Sequence, residues 1–133
     1  MYKNFTLEEL INSDTANMKK IKNIPDFDQV RNWDYLVEKV LQPLRDWYGK
    51  TIAVKSGYRS AELNNAVGGA KNSQHMVGEA ADISIGTIEL NKVLFNYIKD
   101  NMEFDQVILE NGGIWVHVSI KRSGKNRKEV LYL

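Results

Sequence analysis

Between Asp28 and Trp47 the apolar residues fall at Val30, Trp33, Leu36, Val37, Val40, Leu41, Leu44 and Trp47. Steps of this kind follow a 3.6-residue period and predict a long amphipathic helix with a broad buried stripe. Pro43 lies inside the pattern and predicts a kink or a restart near Leu41-Gln42. Gly49 is placed to close the helix as a C-cap. Upstream, Thr6-Leu7-Glu8-Glu9-Leu10 has the spacing of a capping box, so a short helix begins there. Ser13-Asp14-Thr15 ends that helix or opens a turn. Residues 16 to 27 read as polar and irregular, with Ile24-Pro25 barring helix across the junction.

Beyond Gly49 the period changes to two. Thr51 to Ser56 reads as a strand closed by Gly57, and Ser60 caps a short helix over Ala61 to Val67 that stops at Gly68-Gly69. Ala80 to Ile85 is a strand with Ala81, Ile83 and Ile85 on one face and Asp82 and Ser84 on the other. Thr87 caps a further helix whose inner face is expected to carry Leu90, Val93, Leu94, Tyr97 and Ile98. Phe104 to Glu110 and Ile114 to Ile120 form strands joined at Asn111-Gly112-Gly113, a hairpin signal. A loop from Lys121 to Lys128 leads to a last strand, Glu129 to Leu133. Helices come first, then strands interleaved with helices, ending in hairpins. The expectation is an α+β fold with a mainly antiparallel sheet packed against helices. It forms a single domain over residues 1–133, helical over about 5–48 and sheet-based over about 51–133.

Composition narrows the function classes. Eighteen Lys+Arg against 17 Asp+Glu give a formal charge of +1, so no global field favours nucleic acid or an anionic membrane. The basic loop, with five cations in eight residues, reads as a solvated hairpin tip. With no cysteine, disulfides and thiolate metal sites are excluded. Glu8 and Glu9 fall where a secretory signal needs its apolar segment, and no apolar run approaches the roughly 20 residues of a membrane span. A soluble monomer without a signal peptide, made in the cytoplasm, is expected.

The chain has only two histidines, His75 and His117. His75 stands seven residues before Asp82. His117 alternates with Val116 and Val118, so it points away from the apolar face of its strand. Two imidazoles and one carboxylate are a donor set for catalytic zinc, which takes three protein ligands and leaves a position for water. Gly78, Ala80 and Ala81 are small, as close approach of a loop to an ion requires. Spacing alone also leaves open two histidines with ordinary structural roles.

The segment Ser73-x-His75-x-x-Gly78-x-Ala80-x-Asp82, with Trp115-Val116-His117 beyond it, resembles the zinc D-Ala-D-Ala carboxypeptidases and related peptidoglycan peptidases, whose fold is shared with the hedgehog signalling domain. Ser56-Gly57-Tyr58-Arg59-Ser60, Ala66-Val67-Gly68-Gly69-Ala70 and the opening Phe5 to Leu10 extend the resemblance from about residue 5 to 132. It implies a zinc metallopeptidase with Zn2+ held by His75, Asp82 and His117. Arg59 then binds the scissile carbonyl or its oxyanion, and Ser73 orders the ligand loop beside the substrate. The implied substrate is a peptidoglycan stem peptide or cross-link, cut by a carboxypeptidase or endopeptidase, for instance a phage or prophage endolysin released at lysis. The alternative is a hedgehog-like module that keeps zinc and binds wall peptide without cleaving it.

One position departs from the pattern. Some relatives place an acid three residues before the last histidine, where this chain has Ile114. Glu110, across the turn, is the nearest acid in sequence. A two-residue Gly112-Gly113 turn pairs Glu110 with Trp115, on the face of His117, whereas a three-residue turn sends it to the opposite face. Gly-Gly favours the first register. Glu110 is therefore the expected general base, and Trp115 a wall of the substrate cleft or a core residue.

Overall fold

The computed structural model describes residues 4–133; Met1 to Lys3, with which the leader reading of the sequence begins, lie outside the described residues. The fold is α+β, with a five-stranded sheet in the order β1-β2-β4-β3-β5. Helices α1 (Leu7–Ile11), α2 (Asp14–Lys19), α3 (Phe27–Leu36) and α4 (Gln42–Tyr48) precede β1 (Ala53–Ser56). Then come α5 (Ala61–Ala66), β2 (Ala80–Ser84), α6 (Ile88–Asn101), β3 (Gln106–Glu110), β4 (Trp115–Ser119) and β5 (Glu129–Tyr132). Among the described residues no helix is long and apolar enough to cross a membrane.

The capping box at Thr6 and Glu9 forms as the sequence predicts, and Gly49 ends α4 with φ +81°. Residues 16 to 27 are less irregular than expected. The Ser13 hydroxyl accepts the N–H of Ala16 and starts α2, whose one buried side chain is Ala16; Lys20 ends it in the left-handed region. Such a short helix with one apolar contact has no periodicity to announce it.

The long helical pattern runs on without a break, but not as uniform α-helix. Val37–Leu41 is a π-helical turn in which the N–H of Gln42 reaches the carbonyl of Val37. Pro43 follows in the first turn of α4, where its missing N–H costs least. The π turn thus absorbs the proline that the sequence marks as a break. Trp33, Leu36, Val37, Val40, Leu41 and Leu44 are all buried, while Trp47 is half-exposed and stacks on Tyr97 at 3.7 Å between ring centroids.

The inner face of α6 differs from expectation. Asn91, Leu94, Phe95 and Ile98 are buried, whereas Leu90 and Val93 stand exposed. A polar residue belongs there because it is fully bonded: the Asn91 amide donates to the carbonyls of Gly113 and Ile114, and its oxygen accepts the N–H of Ile85. Asn91 therefore ties the β3–β4 turn to α6.

The sheet has two unlike faces. Ala81 pairs with Val118 and Ile83 with Val116 in β2–β4, and Val107 with Val118 and Leu109 with Val116 in β3–β4. These buried residues join the helical core. The alternate positions Asp82, His117, Ile108, Trp115 and Glu110 share the other face. β1 carries a bulge between Val54 and Ser56, after which Ser56 rather than Lys55 lies opposite Asp82. The extra residue re-aims a serine toward the polar face.

The chain does not end in a hairpin. The loop after β4 passes β3, and β5 pairs with β3 in parallel at the sheet edge. Asp105, fully buried, anchors this crossover. Its carboxylate accepts the backbone N–H of Arg127 at 2.8 Å and an Nη of the same residue at 2.7 Å. Lys121 lies 3.7 Å away, Arg122 donates to Asn32 at 2.9 Å, and Lys128 approaches Glu103 at 3.9 Å. The basic loop is a strap fastened to acids and amides, not a free tip.

Burial alone would raise the pKa of Asp105, but the hydrogen bonds from Arg127, helped by its charge and that of Lys121, hold it below the usual carboxylate value. Asp105→Asn is expected to cost about 1–3 kcal/mol at pH 7, the half-exposed Arg127 limiting the figure. A depressed folded-state pKa contributes stability that is fully present above the unfolded value of about 4. That contribution disappears as pH falls through the lower folded value. Denaturant unfolding at pH 7 and below pH 3 checks it: the gap between wild type and variant narrows in acid, and a constant gap refutes the assignment.

Candidate metal centre

His75 is delivered by a 3₁₀ turn, Gln74–Val77, that follows Ser73. The Ser73 hydroxyl accepts the N–H of His75 at 3.2 Å and so braces this turn. Gly78 closes the turn with φ +79°. A Cβ there would lie 2.3 Å from the carbonyl oxygen of Gln29, so the required small residue makes room for α3. Close approach to an ion, the expected reason, is not the one the packing gives.

The orientation of His75 is set from further away. Its Nδ1 lies 2.6 Å from the carbonyl oxygen of Gly57. The next residue, Tyr58, donates its N–H to the carbonyl of Leu10 in α1, and a Cβ on Gly57 would meet that same oxygen at 2.6 Å. Asn23 donates to the carbonyls of Ile11 and Tyr58 and accepts the N–H of Ser60, joining the helical layer to the same turn. A carbonyl only accepts, so Nδ1 of His75 carries the proton and Nε2 of the neutral ring is left with a bare lone pair.

That lone pair faces Asp82 Oδ1 at 3.2 Å, and His117 Nδ1 faces the same oxygen at 2.9 Å. Asp82 and His117 are directly paired across β2 and β4, which brings together residues 35 apart in sequence. One donor atom from each of the three residues falls within 4.8 Å of the others. All three residues are nearly inaccessible, at 2%, 6% and 9% exposure for His75, Asp82 and His117. Acceptors converging in a dry site repel one another unless a cation lies among them. Ligand atoms around a tetrahedral zinc, with bonds of about 2.0–2.1 Å, sit about 3.3 Å apart. The donor set fits that ion in chemistry, and the two contacts to Asp82 Oδ1 are of that order.

Burial would raise the Asp82 pKa, yet the His117 and His75 imidazoles packed against its carboxylate outweigh that effect and hold the carboxyl far below the usual range. Arg59 reaches the other carboxylate oxygen, with an Nη 3.3 Å from Asp82 Oδ2.

The three residues open onto a cleft of about 530 Å3 over the polar face of the sheet, lined also by Arg59, Ser73, Glu110 and Trp115. Every residue singled out in the sequence for chemistry therefore borders one cavity. A hollow of about 640 Å3 between α1 and α2 is larger but gathers no comparable donor set. Glu110 pairs with Trp115, and Ile108 with His117, so Glu110 stands one row along from His117 on the same face. The register is the favoured one, but the turn is not two residues long. Asn111, Gly112 and Gly113 all have positive φ, and the N–H groups of Gly113 and Ile114 both return to the Glu110 carbonyl. Ser56, Asn64, Gln106 and Arg127 escaped the sequence reading; Asn64, Gln106 and Arg127 line or brace the cleft through contacts that no local pattern encodes.

The α+β sheet thus presents two histidines, an aspartate and an arginine at the floor of one cleft. The chain belongs to the peptidase M15 family, whose pattern it matches over residues 3–119. It is also 50% identical over 48 residues to the zinc D-Ala-D-Ala carboxypeptidase of Streptomyces albus G. That stretch covers 35% of this chain and 19% of the relative, so the likeness spans about a fifth of the larger protein.

Proposed function

We propose that His75, Asp82 and His117 hold one Zn2+ and that the protein hydrolyses peptide bonds in bacterial peptidoglycan stem peptides or cross-links, in the manner of an endolysin. The observation that carries the reading is the convergence of three buried donor atoms beside Arg59 in an open cleft. Bound zinc supplies Lewis acidity, which polarises a carbonyl and acidifies water. Arg59 directs a guanidinium, fixed by its own hydrogen bonds, toward the charge that grows on the carbonyl oxygen. Glu110 takes the proton of the attacking water and passes it to the leaving amine. Ser73 and Trp115 border the path of the peptide. The substrate class follows the name of the Streptomyces relative.

A second reading, a zinc module that binds wall peptide without cleaving it, draws on Ile114, which occupies the place of an acid and is exposed. The position of Glu110 on the face of His117 favours the enzyme. Digestion of purified sacculi, with products identified by mass, separates the two. Hydrolysis is expected to release new peptide termini, to stop with a chelator and to return with zinc. A folded, zinc-loaded protein that releases nothing leaves only the binding module.

A further inference from the structure

Arg59 is held at all three of its guanidinium nitrogens. Nε donates to Ser56 Oγ at 3.0 Å, one Nη to Asn64 Oδ1 at 3.2 Å, and the other to Asp82 Oδ2 at 3.3 Å. Of these partners Asn64 is the one with no place at the metal centre or on the sheet. It lies in α5, 4% exposed, and its amide nitrogen donates to the Ala70 carbonyl at 2.8 Å. The amide orientation is forced, because a guanidinium only donates and a carbonyl only accepts. Asn64 is thus a clip between Arg59 and the loop that leads to Ser73 and His75.

The clip has a second part. A Cβ built on Gly69 would lie 2.0 Å from Asn64 Oδ1 and 2.9 Å from an Nη of Arg59. Gly69 is not among the residues with positive φ, so its backbone conformation is open to alanine. What excludes a side chain there is the volume taken by the Asn64–Arg59 contact.

We infer that Asn64 is a positioning residue that aims the Arg59 guanidinium, and that Gly69 is small to leave that contact room. The inference rests on the reading of Arg59 as the group that meets the substrate carbonyl. Without Asn64 one Nη loses its partner, and the long 3.3 Å contact of the other Nη to Asp82, itself facing both histidines, is the one restraint left on rotation about Nε–Cζ; the amide of Asn64 removes that freedom before substrate arrives. A preset donor stabilises a developing oxyanion at no cost in reorganisation.

Asn64→Ala and Gly69→Ala are expected to lower kcat on a muropeptide at least about tenfold with KM little changed, since the lost bond is one to a charged group acting in the transition state. In an Arg59→Ala background neither substitution should lower kcat further. A purely structural role predicts the same loss in both backgrounds and would overturn the inference. A second measurement does not depend on turnover. Nitrogen NMR of zinc-loaded protein should resolve the two Nη groups of Arg59 separately in wild type and in Asn64→Asp, which keeps the accepting oxygen. They should coalesce in Asn64→Ala and Gly69→Ala. Separate Nη signals in those two variants refute the proposal even if the wild type cleaves nothing, a result that would instead remove the assignment of function.

Discussion

Glu110→Gln is expected to leave the protein folded and loaded with zinc while peptide hydrolysis falls by about a hundredfold to ten-thousandfold, the usual worth of a positioned general base. Glutamine keeps the shape of the side chain and removes only its capacity to take a proton. The prediction leans on strand register. Glu110 pairs with Trp115, and the next non-adjacent pair on that face is Ile108 with His117. Diagonal neighbours on one face lie about 7–8 Å apart at Cα, a gap that a glutamate and one water can span. Asn91 supports this placement by bonding the carbonyls of Gly113 and Ile114, which fixes the turn that follows Glu110. Zinc content and single-turnover rates on a muropeptide are the measurements. A variant that retains the wild-type rate removes Glu110 from the chemistry.

Asp82→Ala is expected to do more, abolishing zinc uptake and hydrolysis together. Asp82 is the shared partner of both histidines and of Arg59, and is buried at 6% exposure. Removing one member of a buried charged set typically costs about 3–5 kcal/mol, because the others lose their counter-charge. Wild type should also lose thermal stability when the ion is stripped: at a thousandfold excess over Kd a ligand contributes about 4 kcal/mol. Calorimetry with and without chelator should show a large drop in Tm for wild type and none for Asp82→Ala. Zinc bound by the variant with undiminished affinity would mean that the ligand set has been misread.

How much of this was legible in the sequence follows from which forces are local. Capping at Thr6, Ser60 and Thr87 involves residues three apart, and all three caps form where the sequence places them. The alternation around Asp82 and His117 is equally local, and it put both side chains on the face opposite Val116, Val118 and Ile83. What failed was non-local. Asn91 is buried on α6 because carbonyls from a distant turn meet it there, while Leu90 and Val93 find no partner layer and stay exposed. The parallel pairing of β5 depends on Asp105 gathering the loop beyond β4, an arrangement without a periodic signature. At the site itself the residue types were readable, but the braces were not. The bulge at Lys55 brings Ser56 opposite Asp82, and Asn64 meets Arg59 across the first turns of α5.

The contact between Leu10 and Gly57 has a practical consequence. Because the last turn of the first helix seats the very peptide whose carbonyl steers His75, the helical half is no mere scaffold that could be trimmed from a catalytic half. Ion loading and the docking of the amino-terminal segment are linked equilibria. A binder, graft or truncation at that end is therefore felt as a change in metal affinity at His75, far along the chain from where it was made.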